Sequence, residues 1–287
     1  MPRFAHYAAI DWSGAKGERH RGLALALCAP GAAAPELVRP AHRWSRAEVL
    51  DWLRSDMPPD TLVGLDLGTA LPFVDRGAFF PGWSESPADA RALWALVDAM
   101  CDANPHLSTC DFVDHPPAAE HFRRHGNRKG AQFEGRGRLR VTEQAQREQG
   151  LNPYSNLNLV GAAQVGKSSL TGMRVLHRLG GHVPVWPFDP LSDRGSVIVE
   201  IYTSLAAIAA GRAKGRTKIR THVELDIALA QLGSAAIGGS GPIDDHRSDA
   251  ILTAAWLRAN ADRPDLWNPR ALTPEIAATE GWTFGIV

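Results

Sequence analysis

Short apolar runs that close on an acidic residue set the layout of the first hundred positions. "HYAAIDW" at 6–12 predicts a buried strand ending on Asp11, because an unbroken apolar block of that length suits a strand covered on both faces. "GLALALCA" at 22–29 and "ELVRPAHRW" at 36–44 predict two further strands, joined by the turn-rich "PGAAAP". A short helix follows over "SRAEVLDWLR". There Ser45 and Glu48 have the spacing of a capping box, and Val49, Leu50, Trp52 and Leu53 supply an apolar face. "TLVGLDL" at 61–67 is a fourth strand, again with an aspartate, Asp66, at its end, and Pro87 opens a helix over "PADARALWALVDAMCDA".

From about 103 to 155 the periodicity dissolves. This stretch is rich in Pro, Gly, His and Arg, contains "HFRRHGNRKG" and "GRGRLR", and predicts a long insertion with little core. Patterning resumes with a helix over "SSLTGMRVLHRLG", a fifth strand in "SVIVEIYTSL" carrying Glu200, and helices at 219–232 and 244–260. "VPVWPFD" carries two prolines and makes a poor core strand. The order of elements predicts an α/β fold. A mixed central sheet is flanked by helices, with the irregular insertion between the fourth and fifth strands of a single domain spanning 1–287.

Composition narrows the function classes. With 31 basic and 31 acidic residues among 287 the formal charge is zero, so nucleic-acid contact has to come from local basic stretches. Those stretches are "RRHGNRK", "GRGRLR" and "GRAKGRTKIR". Three cysteines without a C-x-x-C pair argue against a disulfide framework and a cysteine zinc site. No signal-peptide pattern or membrane-length apolar segment is visible, which predicts a cytoplasmic protein with no membrane partner.

The acids carry the candidate chemistry. Asp11, Asp66, Glu200 and Asp249 fall at the ends of predicted strands or near the start of a helix. A carboxylate there loses hydration, and several together repel one another. A divalent cation resolves both problems, and hard oxygen donors suit magnesium or manganese. On the last helix Asp245 and Asp249 are one turn apart and His246 precedes Asp249 by three, so they can share a face. Ile251, Leu252, Ala255 and Trp256 would pack on the sheet. A lone strand-end aspartate is ordinarily a turn or cap residue, and Asp244 or Asp245 caps this helix. Four acids in the order strand, strand, strand, helix make the case for a shared metal site.

A competing motif lies at 161–170. "GAAQVGKSSL" satisfies G-x-x-x-x-G-K-[ST] with Gly161, Gly166, Lys167 and Ser168, the pattern of a loop whose backbone amides and lysine cradle phosphates. About 160 residues precede it, although such a loop normally follows the first strand of its sheet. Gly172 also falls early in its helix. The expectation is that no nucleotide binds at Lys167.

The order of acids resembles the RNase H-like superfamily, and "HRSDA" at 246–250 looks like the H/D-x-x-D-A signature of RuvC-type Holliday-junction resolvases. More closely, the chain resembles a bacterial and archaeal domain-of-unknown-function family described as predicted nucleases of RNase H fold. The resemblance rests on "AIDWSG", "GLDLGTALPF", "VGAAQVGKSSLTGMRVLHRL", "VWPFD", "VIVEIYTSL", "DDHRSDAILTAAWL" and "EGWTFGIV". It spans nearly the whole chain and has two departures. The proline usual after the fourth-strand aspartate is missing, and Thr203 replaces the proline of "E-x-Y-P".

The resemblance implies a metal-dependent nuclease. Asp11, Asp66, Glu200 and Asp249 would hold magnesium or manganese, and Asp245 or His246 would be a further ligand or proton shuttle. Two other classes stay open. "DLGTA" at 66–70 and "DWSG" at 11–14 resemble phosphate-gripping turns of ATP-dependent phosphotransferases of the actin and sugar-kinase type. A non-catalytic RNase H-fold nucleic-acid-binding module is the other.

Overall fold

A computed structural model describes residues 3–126, 128–161 and 165–287. Its strands are β1 His6–Asp11, β2 Ala24–Cys28, β3 Glu36–Leu37, β4 Thr61–Asp66, β5 Arg123–Arg124, β6 Arg128–Lys129, β7 Val185–Trp186 and β8 Val197–Glu200. Six of them form one mixed sheet in the order β3-β2-β1-β4-β8-β7, while β5 and β6 make a separate hairpin. The first three strands pair antiparallel, and β1, β4, β8 and β7 run parallel. The helices are α1 Arg46–Asp51, α2 Ala90–Met100, α3 Cys110–Asp114, α4 Pro116–Ala119, α5 Val141–Glu148, α6 Val165–Leu179, α7 Thr203–Ala209, α8 His222–Gln231 and α9 Asp245–Asn260. Two short ones, α10 Pro264–Trp267 and α11 Pro274–Thr279, complete the chain.

The sheet is buried on both faces because its strands are apolar at odd and even positions alike. Ala8 and Ile10 of β1 join Val63 and Leu65 of β4 in a cluster with Leu93, Trp94, Leu170 and Met173 from α2 and α6. Tyr7, Ala9 and Leu62 point the other way, into a second cluster with Ala206, Leu225, Leu252 and Ala255 from α7, α8 and α9. The result is a mixed α/β arrangement, helices on both sides of one sheet. Among the described residues no helix is long and apolar enough to cross a membrane.

Local signals place most elements. Ser45 caps α1 as a capping box, its hydroxyl accepting from the Glu48 amide at 3.1 Å while its own amide donates to Glu48 at 2.7 Å. Asp89, not Pro87, caps α2, accepting from Ala92 N at 2.8 Å. β3 has two residues where nine were expected. The run "SVIVEIYTSL" stops being a strand at Glu200, and its remainder coils into α7. "VPVWPFD" does supply a strand, β7, but a two-residue one at the sheet edge, where proline is tolerated.

The insertion also departs from expectation. Residues 103–155 hold α3, α4, the β5–β6 hairpin and α5, and they have a core: Phe112 and Phe122 are fully buried, and both meet Phe80 edge-on or tilted. Single aromatics spaced ten or so residues apart anchor it, and they leave no periodic trace.

Gly64 in β4 marks the tightest contact between sheet and helices. A Cβ there would lie 2.7 Å from Ile201 Cγ2 and 3.0 Å from Leu257 Cδ1 of α9. Gly64→Ala is expected to destabilise the fold by about 1–3 kcal/mol through overpacking, read from the urea midpoint.

Candidate active site

Asp11 and Asp66 are register partners on adjacent parallel strands, so they project from the same face at the same end of the sheet. That face is the one α9 covers. Asp244 caps α9, accepting from His246 N at 3.1 Å, and this fixes where the helix starts over the strand ends. One turn in, Asp249 is 8% exposed and Asp11 is 5% exposed. Thr203 N donates to Asp66 Oδ1 at 3.5 Å, orienting the third carboxylate from the α7 side.

Electrostatics tie the three acids together. Burial pushes the Asp11 carboxyl up to about 6, against the pull of His246. Burial and then the charges of Asp11 and Asp249 hold Asp66 well above the usual carboxylate range. Asp249 is raised by burial, with Lys218 opposing. Like charges held together in a poorly hydrated place favour the protonated form, and a bound cation would reverse the shift.

Two side chains now supply positive charge. His246 Nδ1 lies 3.2 Å from Asp11 Oδ2, and that hydrogen bond raises the imidazole to about 9, so it donates as an imidazolium near neutrality. Lys218 Nζ donates to Asp249 Oδ2 at 2.9 Å and sits 3.2 Å from Asp245 Oδ2. Burial alone would lower its ammonium, but Asp249 and Asp245 hold it above the ordinary lysine value. Lys218 belongs to the stretch "GRAKGRTKIR", and nothing in local spacing points it at the acids. Asp244, Asp245 and His246 form the tightest set, each with a ligand atom within 4.8 Å of the others. Asp11, Asp66 and Asp249 are more open than that. Their all-oxygen donor set, raised chiefly by burial, fits a hard dication, with Lys218 as the group that must yield.

Glu200 does not join them, which corrects the expectation for it. It pairs with Leu65, one position before Asp66, so it shares the opposite face of the sheet. There Arg140 grips it with two nitrogens at 2.8 and 2.5 Å. Thr69 N and Oγ1 donate to it at 2.7 and 2.8 Å, and Thr283 Oγ1 at 2.6 Å. Burial alone would raise Glu200, but Arg140 holds it below the usual range. Its lone pairs are consumed by this network.

The competing motifs lose their footing. Residues 162–164 of the G-x-x-x-x-G-K-S stretch lie outside the described residues. The segment before them makes only an isolated bridge from Asn158 to Arg123, outside the six-stranded sheet. Lys167 belongs to α6, and its backbone packs on Gly14, where a Cβ would come within 2.5 Å. The turn "DLGTA" has no room for a phosphate: the Thr69 amide is taken by Glu200, and Gly68 lies against Asn156 and Ser169. Of the basic stretches, Arg140 is buried, and Arg138 grips Asp75 and three backbone carbonyls. Arg124 and Arg128 pair with Asp114, yet they line a cleft of about 120 Å³ with Lys16 and Lys167.

Comparison of the chain with family models, with curated proteins and with solved structures returns no match.

Glu200→Gln should remove a structural charge rather than a ligand. It is expected to cost about 3 kcal/mol by leaving Arg140 short of a buried partner, Glu143 remaining to it. Thermal melts measure that cost, and any stabilisation by added manganese should be equal in variant and wild type.

Proposed function

We propose that this chain is a divalent-metal-dependent nuclease of RNase H-like architecture, hydrolysing phosphodiester bonds in nucleic acid. The observation that carries the reading is the in-register pair Asp11 and Asp66 at the ends of adjacent parallel strands, faced by Asp249 of α9. The antiparallel β1–β2–β3 unit followed by parallel β4 and β8 supports the fold assignment.

Asp11, Asp66 and Asp249 would hold magnesium or manganese, and Asp245 stands one helical turn from Asp249. When bound, such an ion acidifies a water and offsets charge on the phosphodiester oxygens. The protein's own groups prepare the rest. His246 holds a proton at Nδ1 against Asp11, placed for transfer beside the acids. Lys218, released from Asp249, offers its ammonium to a phosphate oxygen. The cleft lined by Lys16, Arg124, Arg128 and Lys167 is suited to backbone phosphates further along a strand.

A non-catalytic nucleic-acid-binding module is the second reading. It is favoured by Lys218 and His246, which already neutralise much of the cluster without a metal.

Asp249→Asn separates the two. At a hundredfold excess over Kd, manganese should stabilise the wild type by about 2.7 kcal/mol, and the variant should lose that gain while still folding without metal. Cleavage of a panel of single-stranded, duplex and branched substrates should fall with it. A wild-type melt that does not respond to millimolar manganese would leave the binding module as the better account.

A further inference from the structure

A cavity beside the acidic centre plays no part in the reading above. It has a volume of about 550 Å³, in the range of small-ligand sites, and sits between β2, the 38–44 segment and the start of α9. Its two ends differ. Leu23, Leu25, Val38 and Trp44 give an apolar floor, while Arg21, Arg39, Arg43 and Arg247 ring the opening and Asp244 is the one carboxylate in the lining.

The arginines are only partly spoken for. Arg39 pairs with Asp56, Arg21 stands 3.6 Å from Asp244, and Arg247 donates to the Pro40 carbonyl at 2.9 Å. The Arg43 side chain has no hydrogen-bond or ion-pair partner among the described residues. His20, also in the lining, is 3% exposed. Burial, with Arg46 and His106, lowers this imidazole to about 4, so it is neutral and offers a hydrogen bond rather than a charge.

We propose that this cavity is a nucleoside-phosphate site: Arg43 and Arg247 take the phosphate, and the apolar floor takes the base or sugar face. Planar guanidinium groups suit phosphate oxygens because they can donate two bonds at once. The site stands on the cavity alone and not on the nuclease reading. Its position still bears on that reading. Asp244 lines the cavity and begins the helix of Asp249, and the His246 ring lies 3.1 Å from where a Cβ on Gly22 would be. The nucleoside phosphate is therefore either a free nucleotide or one unit of a strand that passes the acids.

Calorimetric titration in EDTA tests this with two probes, AMP and a 5′-phosphorylated tetranucleotide. Wild-type protein is expected to bind at least one of them, and Arg43→Ala or Arg247→Ala should weaken that binding roughly tenfold, as loss of a charged hydrogen-bond partner does. Arg270→Ala, at an exposed position outside the lining, should bind as the wild type does. Equal affinity for both probes identifies a free nucleotide, and tighter binding of the oligonucleotide identifies a strand. The proposal falls if neither probe binds at millimolar concentration or if the Arg43→Ala, Arg247→Ala double variant binds like the wild type. It falls too if inorganic phosphate displaces AMP as well as AMP displaces itself. EDTA keeps the outcome separate from the manganese experiment, so either reading can fail without the other.

Discussion

One buried guanidinium ties the end of β8 to the insertion and to the C-terminal segment. Arg140 is 1% exposed, and it bonds Glu200 at the end of β8, Glu143 in α5 and the Glu280 carbonyl near the C-terminus. Through Glu200 it also reaches Thr69, just past β4, and Thr283. A charge in so poorly hydrated a place is tolerable only when its donors are met, and breaking one partner leaves the rest uncompensated. The insertion, the sheet and the C-terminal segment are thereby locked to one another. Glu280 extends the lock, accepting from the Phe73, Val74 and Val141 amides.

That arrangement divides the acids by role. Strand alternation sends Glu200 to the face where Arg140 waits and sends Asp11 and Asp66 to the face of α9. On the first face, one guanidinium that cannot lose its proton binds both Glu200 and Glu143. On the second, the neutralising groups are a partly exposed histidine and a half-exposed lysine. The contrast between a closed ion network and an open one is what separates scaffold from site here. Asp66, raised first by burial, also feels Asp11 and Asp249 at once, with Lys218 opposing them.

By itself the sequence determined the strands that end on Asp11 and Asp66, the capping of α1 by Ser45 and of α9 by Asp244 or Asp245, and the alternation of strands and helices. These depend on contiguous apolar runs and on side chain-to-backbone bonds a few residues apart, which are local physics. The membership of Asp249 in the acidic group was legible too, since its helical spacing from Asp245 and His246 is fixed by the 3.6-residue turn. What the tertiary structure decided was long-range. Register, set by pairing over more than a hundred residues, turned Glu200 to the wrong face for a ligand. Packing across the fold gave the insertion its aromatic core, brought Lys218 onto Asp249 and gathered four arginines around one cavity. Burial and charge partnership belong to pairs of distant residues, and no window of sequence contains both members of such a pair.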